Sequence, residues 1–195
     1  MTMKKWIGVA FILLGCVLLL LPVVEREQQE RKIEVIQDAM AKIENGNEKD
    51  VPPEIKKEMN HALILTIPAI DLKQVVLETT TKGNLDKALT QIKENQRLGE
   101  GNFAIAGHRS RVHGRHFNRL DELKSGDEIV LENKDYRYTY NVVGKTTVLP
   151  SQVEVLDDKP GKSLVSLVTC TPINTATHRL IVTGKLVDKQ KKDPS

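Results

Sequence analysis

Three residues, Cys170, His108 and Arg179, have side chains that can carry out acyl transfer together. A cysteine attacks a carbonyl carbon as its thiolate, and a histidine can hold that thiolate or give a proton to a leaving amine. An arginine stays charged and can stabilise the oxyanion of a tetrahedral intermediate. These residue types favour nucleophilic catalysis through a covalent intermediate, provided that the fold brings them together.

The sequence places two of these residues opposite each other. Cys170 follows an apolar run, Ser163–Thr169, that is typical of a strand, and Arg179 opens the next such run. A strand end that opens into a loop is where a rigid scaffold presents a reactive side chain. Residues 171–178 can close a hairpin, so we expect Cys170 and Arg179 to be neighbours at one end of a sheet.

His108 also follows a predicted strand, Asn102–Ala106, from which it is separated by Gly107. No acidic residue is an evident partner that would orient its ring, so the sequence does not predict a complete catalytic triad. His108, His113 and His116 are not spaced as H-E-x-x-H or any other zinc pattern. We therefore predict no metal site.

Composition limits the class of protein. Of 195 residues, 39% are apolar and 28% are charged, as in a soluble globular body of one domain. The 29 basic and 26 acidic side chains give a net charge of +3, too balanced to favour a nucleic-acid partner.

The only cysteines are Cys16 and Cys170, which excludes a disulfide framework. An unpaired cysteine in an exported domain favours catalysis, and the alternative is a thiol buried as a small apolar residue.

The uncharged run Trp6–Val24 predicts a transmembrane helix. Lys4 and Lys5 precede it, so the positive-inside rule puts the N-terminus in the cytoplasm and the catalytic domain outside a single-pass anchor. One alternative is a cleaved signal peptide, although no Ala-x-Ala-like site follows the run. Another is a lipoprotein signal at Leu13–Cys16, although further apolar residues follow it.

The segment after the membrane run is predicted to be a stalk. Apolar residues recur at helical spacing between about Glu25 and Glu44, and Asn45–Asn47 then stops the helix. Val51–Pro53 reads as a semi-rigid spacer. The predicted organisation has five parts: cytoplasmic residues 1–5, a transmembrane anchor at 6–24, a charged helical stalk at 25–60, a catalytic domain at 61–188 and a polar tail at 189–195.

The catalytic domain is predicted to be mainly β, with a closed barrel or sandwich. Seven short runs have the composition or the alternation of strands: Ala62–Ile67, Gln74–Leu77, Asn102–Ala106, Asp127–Glu132, Tyr136–Val143, Ser163–Thr169 and Arg179–Val187.

Only one or two short helices are expected within this domain. Leu85, Ala88, Leu89 and Ile92 have helical spacing, with Asn84 as the N-cap. A shorter helical turn is expected at three later apolar residues: Phe117, Leu120 and Leu123.

Four segments together resemble the sortase family over about residues 62–187. Ser166–Cys170 resembles the Thr-Leu-x-Thr-Cys signature of the family, with serine in place of the first threonine. The other three are the segments that contain or follow the histidine and the arginine: Asn102–His108, Phe117–Asp127 and Arg179–Gly184.

The resemblance implies an eight-stranded β-barrel and a cysteine transpeptidase. Such an enzyme would cleave a Leu-Pro-x-Thr-Gly-like sorting signal between threonine and glycine, and an amine of a cell-wall precursor would take the acyl group. By position, His108 would be the acid and base, Cys170 the nucleophile and Arg179 the donor to the oxyanion or to the substrate backbone. Three residues would line the peptide groove: Ala106, Ser166 and Val168.

The subclass suggested by the resemblance is class A, the housekeeping type, because one N-terminal anchor is predicted and no C-terminal apolar run follows. Thr177–Leu180 and the Thr-Pro after Cys170 are similar to pilin-polymerising class C enzymes, and class D stays open. Some class A members bind calcium before the histidine strand, but Lys93–Glu100 holds two acids and two bases, so no cofactor is predicted. A non-catalytic surface binding module and a cysteine hydrolase are the alternatives of other classes.

Overall fold

The computed structural model of the chain describes residues 27–28, 31–43, 45–59, 61–109 and 116–192. The predicted membrane segment, the lipoprotein alternative at Cys16 and His113 lie outside these residues. Within the described ranges, none of the helices combines the length and the apolar character needed to cross a membrane.

Eight strands close into a barrel in the order β1-β2-β3-β4-β7-β8-β6-β5, which confirms the predicted closed eight-stranded fold. Their bounds are β1 Leu63–Ile67, β2 Leu72–Leu77, β3 Leu89–Gln91, β4 Asn102–Ala106, β5 Glu128–Glu132, β6 Tyr136–Val148, β7 Leu164–Thr171 and β8 His178–Lys191.

In the described ranges of the chain, the helices of the domain are few and short, as expected for a mainly β fold. The α-helices are α1 at residues 31–43, α2 at Pro53–Met59 and α3 at Lys82–Leu85. Single 3-10 turns lie at Glu48–Asp50, Pro68–Ile70, Leu120–Glu122 and Val153–Leu156. The turn at Leu120–Glu122 confirms the helical turn predicted there.

The barrel interior is filled by alternate side chains of every strand. In β7, Val165 and Leu167 point inward and are fully buried, whereas Val168 and Cys170 are only partly buried. Tyr140 lies in the same core, and its hydroxyl accepts a hydrogen bond from the Gly99 N–H at 3.1 Å. Burial raises the pKa of Tyr140 to about 12, so this phenol stays neutral at physiological pH.

The helix predicted from Leu85 to Ile92 is wrong beyond its first residue. The helix ends at Leu85, Thr81 rather than Asn84 is its N-cap, and Leu89–Gln91 forms strand β3. β3 lies between β2 and β4 and bonds to both. Pairing and burial on both faces therefore override the helical spacing of the apolar residues.

Helix α1 lies against the barrel, unlike the predicted stalk. Ile36 is 2% exposed and packs in a cluster with Val75 and Leu77 of β2 and with Ala88. Partly buried residues of α1, of α2 and of the position just before β1 complete the cluster: Met40, Ile55, Met59 and Ala62. Pro53, expected in a spacer, is the first residue of α2, where a proline costs no backbone hydrogen bond.

Candidate active site

Cys170 and Arg179 are direct partners across the β7–β8 hairpin, as the sequence predicted. β7 runs two residues further than predicted, to Thr171, which itself pairs with His178. The Cys170 thiol is free and partly exposed. Partners in an antiparallel pair point to the same face of the sheet. The thiol and the guanidinium therefore share the outer face of the barrel at this end.

The parallel pairing of β4 with β7 brings His108 to the same place. Ala106 is the partner of Val168, and the Gly107 N–H donates to the Val168 carbonyl at 3.1 Å. Continuing this register by two residues places His108 level with Cys170, on the same face. The His108 side chain is 50% exposed, so it is open to a ligand.

Gly107 allows the close packing that fixes His108. A Cβ atom at this position would come within 2.5 Å of Leu89 Cδ2 and 2.7 Å of Phe117 Cδ2, and both side chains are fully buried. The Gly107 carbonyl also accepts the buried Thr169 hydroxyl at 2.8 Å. The backbone before His108 is thus held from the core on one side and from β7 on the other.

The Arg179 guanidinium is turned toward its own loop. Its Nη1 donates to the carbonyls of Ala176 and His178, each at 3.1 Å. Among the described residues, no hydrogen bond joins Cys170 to either His108 or Arg179. The three side chains are therefore neighbours on one face without bonding to one another. Both hydrogen bonds of the Arg179 guanidinium use Nη1, so its Nη2 and Nε groups can donate to a ligand.

This arrangement of thiol, imidazole and guanidinium coincides with a family match. A family model described as a sortase domain matches residues 65–187, which is more than half of the chain. The chain belongs to the sortase family. Sortases are cysteine transpeptidases, so the match agrees with the acyl-transfer chemistry expected of the three residues.

Two named relatives show how far the sortase similarity extends. Sortase A of Bacillus anthracis is 37% identical over 128 residues, which span 66% of this chain and 60% of that protein. Sortase A of Listeria monocytogenes is 25% identical over 209 residues, covering 97% of this chain and 94% of that protein. The B. anthracis match thus spans less than two thirds of the relative, whereas the Listeria match is nearly complete.

Solved sortase structures have the same fold. The crystal structure of the Listeria monocytogenes sortase A has a TM-score of 0.65 at 27% identity, covering 68% of this chain and 91% of that one. Proteins named sortase C, sortase D and sortase E also match. The comparisons therefore show the family but not the class.

The three predicted groove residues of this sortase differ in exposure. Ala106 and Val168 lie side by side on the outer face and are partly exposed. Ser166 is 1% exposed, and its hydroxyl donates to Asn102 Oδ1 at 2.8 Å. Ser166 is therefore buried beneath the surface of this face. Of the three residues, only Ala106 and Val168 are accessible to a peptide.

The residues near the possible calcium site do not fit a hard cation. The Lys93 ammonium donates to Asp158 Oδ1 at 2.8 Å and to the Leu156 carbonyl at 3.2 Å, occupying oxygens that a cation would need. Its hydrogen bond, together with the Asn102 N–H, lowers the pKa of the Asp158 carboxyl. In the described part of the chain, no group of three acidic, histidine or cysteine side chains is placed to hold a metal ion.

Arg109 is a residue of the site that the sequence analysis missed. Its Nη1 donates to the Thr171 hydroxyl at 2.9 Å, and its Nη2 lies 2.9 Å from Asp121 Oδ2. Arg109 directly follows His108 and Thr171 directly follows Cys170, so this hydrogen bond links the two segments that carry the histidine and the cysteine. Its position beside His108 could have drawn attention to it in the sequence. Its contact with Thr171 could not be predicted, because that contact depends on the order of the strands in the barrel.

Asp86 is the second missed residue. Its Oδ1 lies 3.5 Å from His108 Nε2, and its side chain is only 19% exposed. The sequence placed it in the interior of a helix, so its closeness to His108 was not foreseen. Recognising β3 would have brought it closer, because β3 is antiparallel to β4 and begins three residues after Asp86, so the segment before β3 lies near the segment after β4.

Proposed function

We propose that this chain is a membrane-anchored sortase that joins proteins carrying a Leu-Pro-x-Thr-Gly-like signal to an amine of a cell-wall precursor. The observation that carries the proposal is the meeting of three strand ends, where Cys170, Arg179 and His108 share one open face. The family's transpeptidase chemistry supports it.

In the first half-reaction, the Cys170 thiolate attacks the carbonyl carbon of the signal's threonine. The oxyanion that forms is stabilised by the Arg179 N–H groups that the loop carbonyls do not use. The carbon–nitrogen bond to glycine then breaks, and protonated His108 gives its proton to the leaving amine. The products are a thioester on Cys170, a neutral imidazole and the released glycine end.

In the second half-reaction, an acceptor amine attacks the thioester carbonyl and passes a proton to His108. The carbon–sulfur bond breaks, the thiolate is restored and a new amide bond is formed. The partly exposed Ala106 and Val168 flank the groove that holds the signal peptide, and the buried Ser166 supports it.

We further propose a class A type that needs no calcium, anchored by residues 6–24 with its N-terminus in the cytoplasm and its barrel outside. Relatives named sortase A support the class. The Lys93 ammonium, which already neutralises Asp158, supports independence from calcium. Class C and class D sorting signals are the alternatives. A panel of sorting-signal peptides, assayed with calcium and with a chelator, separates these cases.

The decisive experiment follows cleavage of a Leu-Pro-x-Thr-Gly peptide by the purified full-length chain, with and without oligoglycine. We expect the amine product to exceed the hydrolysis product, and Cys170→Ala to abolish both without lowering the melting temperature. A preference for water would instead indicate a hydrolase. Unchanged cleavage by Cys170→Ala would exclude the proposed mechanism, and a thiol inert to alkylation would favour the binding module.

A further inference from the structure

His108 has a carboxylate partner that lies outside the segments of family resemblance. Asp86 Oδ1 is 3.5 Å from His108 Nε2. Within the described part of the chain, this is the only hydrogen bond or ion pair of the Asp86 carboxylate. A largely buried carboxylate whose ion-pair partner is the site histidine is a candidate for a role in the site.

The backbone holds Asp86 firmly on both sides. Before it, the helix α3 is capped by the Thr81 hydroxyl, and the Asp86 N–H donates to the Lys82 carbonyl at 3.1 Å. After it, Ala88 is 3% exposed against helix α1, and Leu89 is fully buried in the barrel. Because its backbone is fixed, the carboxylate can hold the ring with little reorganisation.

A carboxylate at Nε2 determines what the other ring nitrogen can do. A neutral ring that placed its proton on Nε2, facing the Asp86 carboxylate at 3.5 Å, would leave Nδ1 as the free base. When Nδ1 takes a proton from the Cys170 thiol or an acceptor amine, the ring becomes a cation that the carboxylate stabilises. The same proton leaves from Nδ1 to the departing amine, and no proton is transferred to Asp86.

We propose that Asp86 is a positioning residue that fixes the tautomer and orientation of His108 during acyl transfer. This inference rests on the proposed sortase function. The separation of 3.5 Å is longer than an ordinary hydrogen bond. Hydrogen bonds in catalytic sites often tighten only in the complex with substrate, so we expect this contact to shorten during the reaction.

The kinetic experiment compares Asp86→Ala, Asp86→Glu and the unaltered full-length chain on a sorting-signal peptide. We expect kcat of Asp86→Ala to fall about tenfold, with KM and melting temperature unchanged, because a bond to a charged group is lost. Asp86→Glu restores the carboxylate and retains most of the turnover. Glu94→Ala removes an exposed carboxylate from the β3–β4 loop and is the matched control. A kcat of Asp86→Ala within about twofold of normal, or an equal loss in Glu94→Ala, overturns the proposal.

A second measurement separates this inference from the proposed function. Ring ¹⁵N chemical shifts of His108, assigned by their loss in His108→Gln, report the tautomer without any substrate. We expect the proton on Nε2 in the unaltered chain and a shift toward Nδ1 in Asp86→Ala. Identical ring shifts in both proteins overturn the role of Asp86. If no peptide is cleaved, the proposed function fails, and the ring shifts still decide about Asp86.

Discussion

The barrel has two outer faces that differ in how far they are covered by other parts of the chain. On the face formed by β2 and the segment before β3, helix α1 covers Val75, Leu77 and Ala88 with its own apolar side chains. On the face formed by β4, β7 and β8, Cys170 and its neighbours remain partly open.

The difference follows from what each face must do. Apolar side chains on an outer face are stabilising only when another element removes them from water. A nucleophile must instead stay accessible, so the second face carries small and polar groups at its open end. One face therefore contributes stability and the other chemistry, and substitutions should separate the two effects.

The largest expected effect is on the open face. His108→Ala removes the acid and base, and general acid–base groups contribute about 10²–10⁴-fold to turnover. Because the side chain is 50% exposed, we expect no change in melting temperature. Peptide cleavage and thermal unfolding, measured on the same preparation, test this. A large fall in melting temperature would mean that the open face also carries fold stability.

On the covered face we expect a smaller effect of the other kind, with stability lowered and turnover unchanged. Ile36→Ala deletes a side chain that is 2% exposed, and we expect a loss of about 2–3 kcal/mol of unfolding free energy with normal turnover per folded molecule. Val35→Ala is the matched control, because Val35 lies on the same helix but is 46% exposed. Equal losses from both substitutions, measured by denaturant unfolding, would show that α1 does not stabilise the barrel by packing.

The open face was largely predictable from the sequence, since its elements are marked by local patterns. One apolar run that ends at Cys170 and another that begins at Arg179 are enough to place these two residues in a hairpin, and the pairing of β7 with β8 sets them opposite each other as expected. The parallel pairing of β4 with β7 is not local, and only the family resemblance implied that His108 joins them.

The covered face was not predictable, because its contacts join distant parts of the chain. The helical spacing of Ile36 and Met40 identifies an amphipathic helix, but the spacing does not say which surface it covers. Asp86 and Leu89 were misassigned for the same reason, since helical spacing in a short apolar segment cannot reveal that β2 and β4 lie on either side of it.

Gly107 connects the two faces and gives the third and smallest predicted effect. A methyl group there collides with Leu89, whose neighbour Ala88 lies under α1, and with Phe117. We expect Gly107→Ala to cost about 1–3 kcal/mol of unfolding free energy, the usual cost of overpacking a core. The shift also displaces His108, so turnover per folded molecule should fall as well. Gly144→Ala is the control, because a Cβ atom there meets nothing within 4 Å. If Gly107→Ala loses stability with unchanged turnover, the position of His108 does not depend on packing at Gly107, and the two faces are independent.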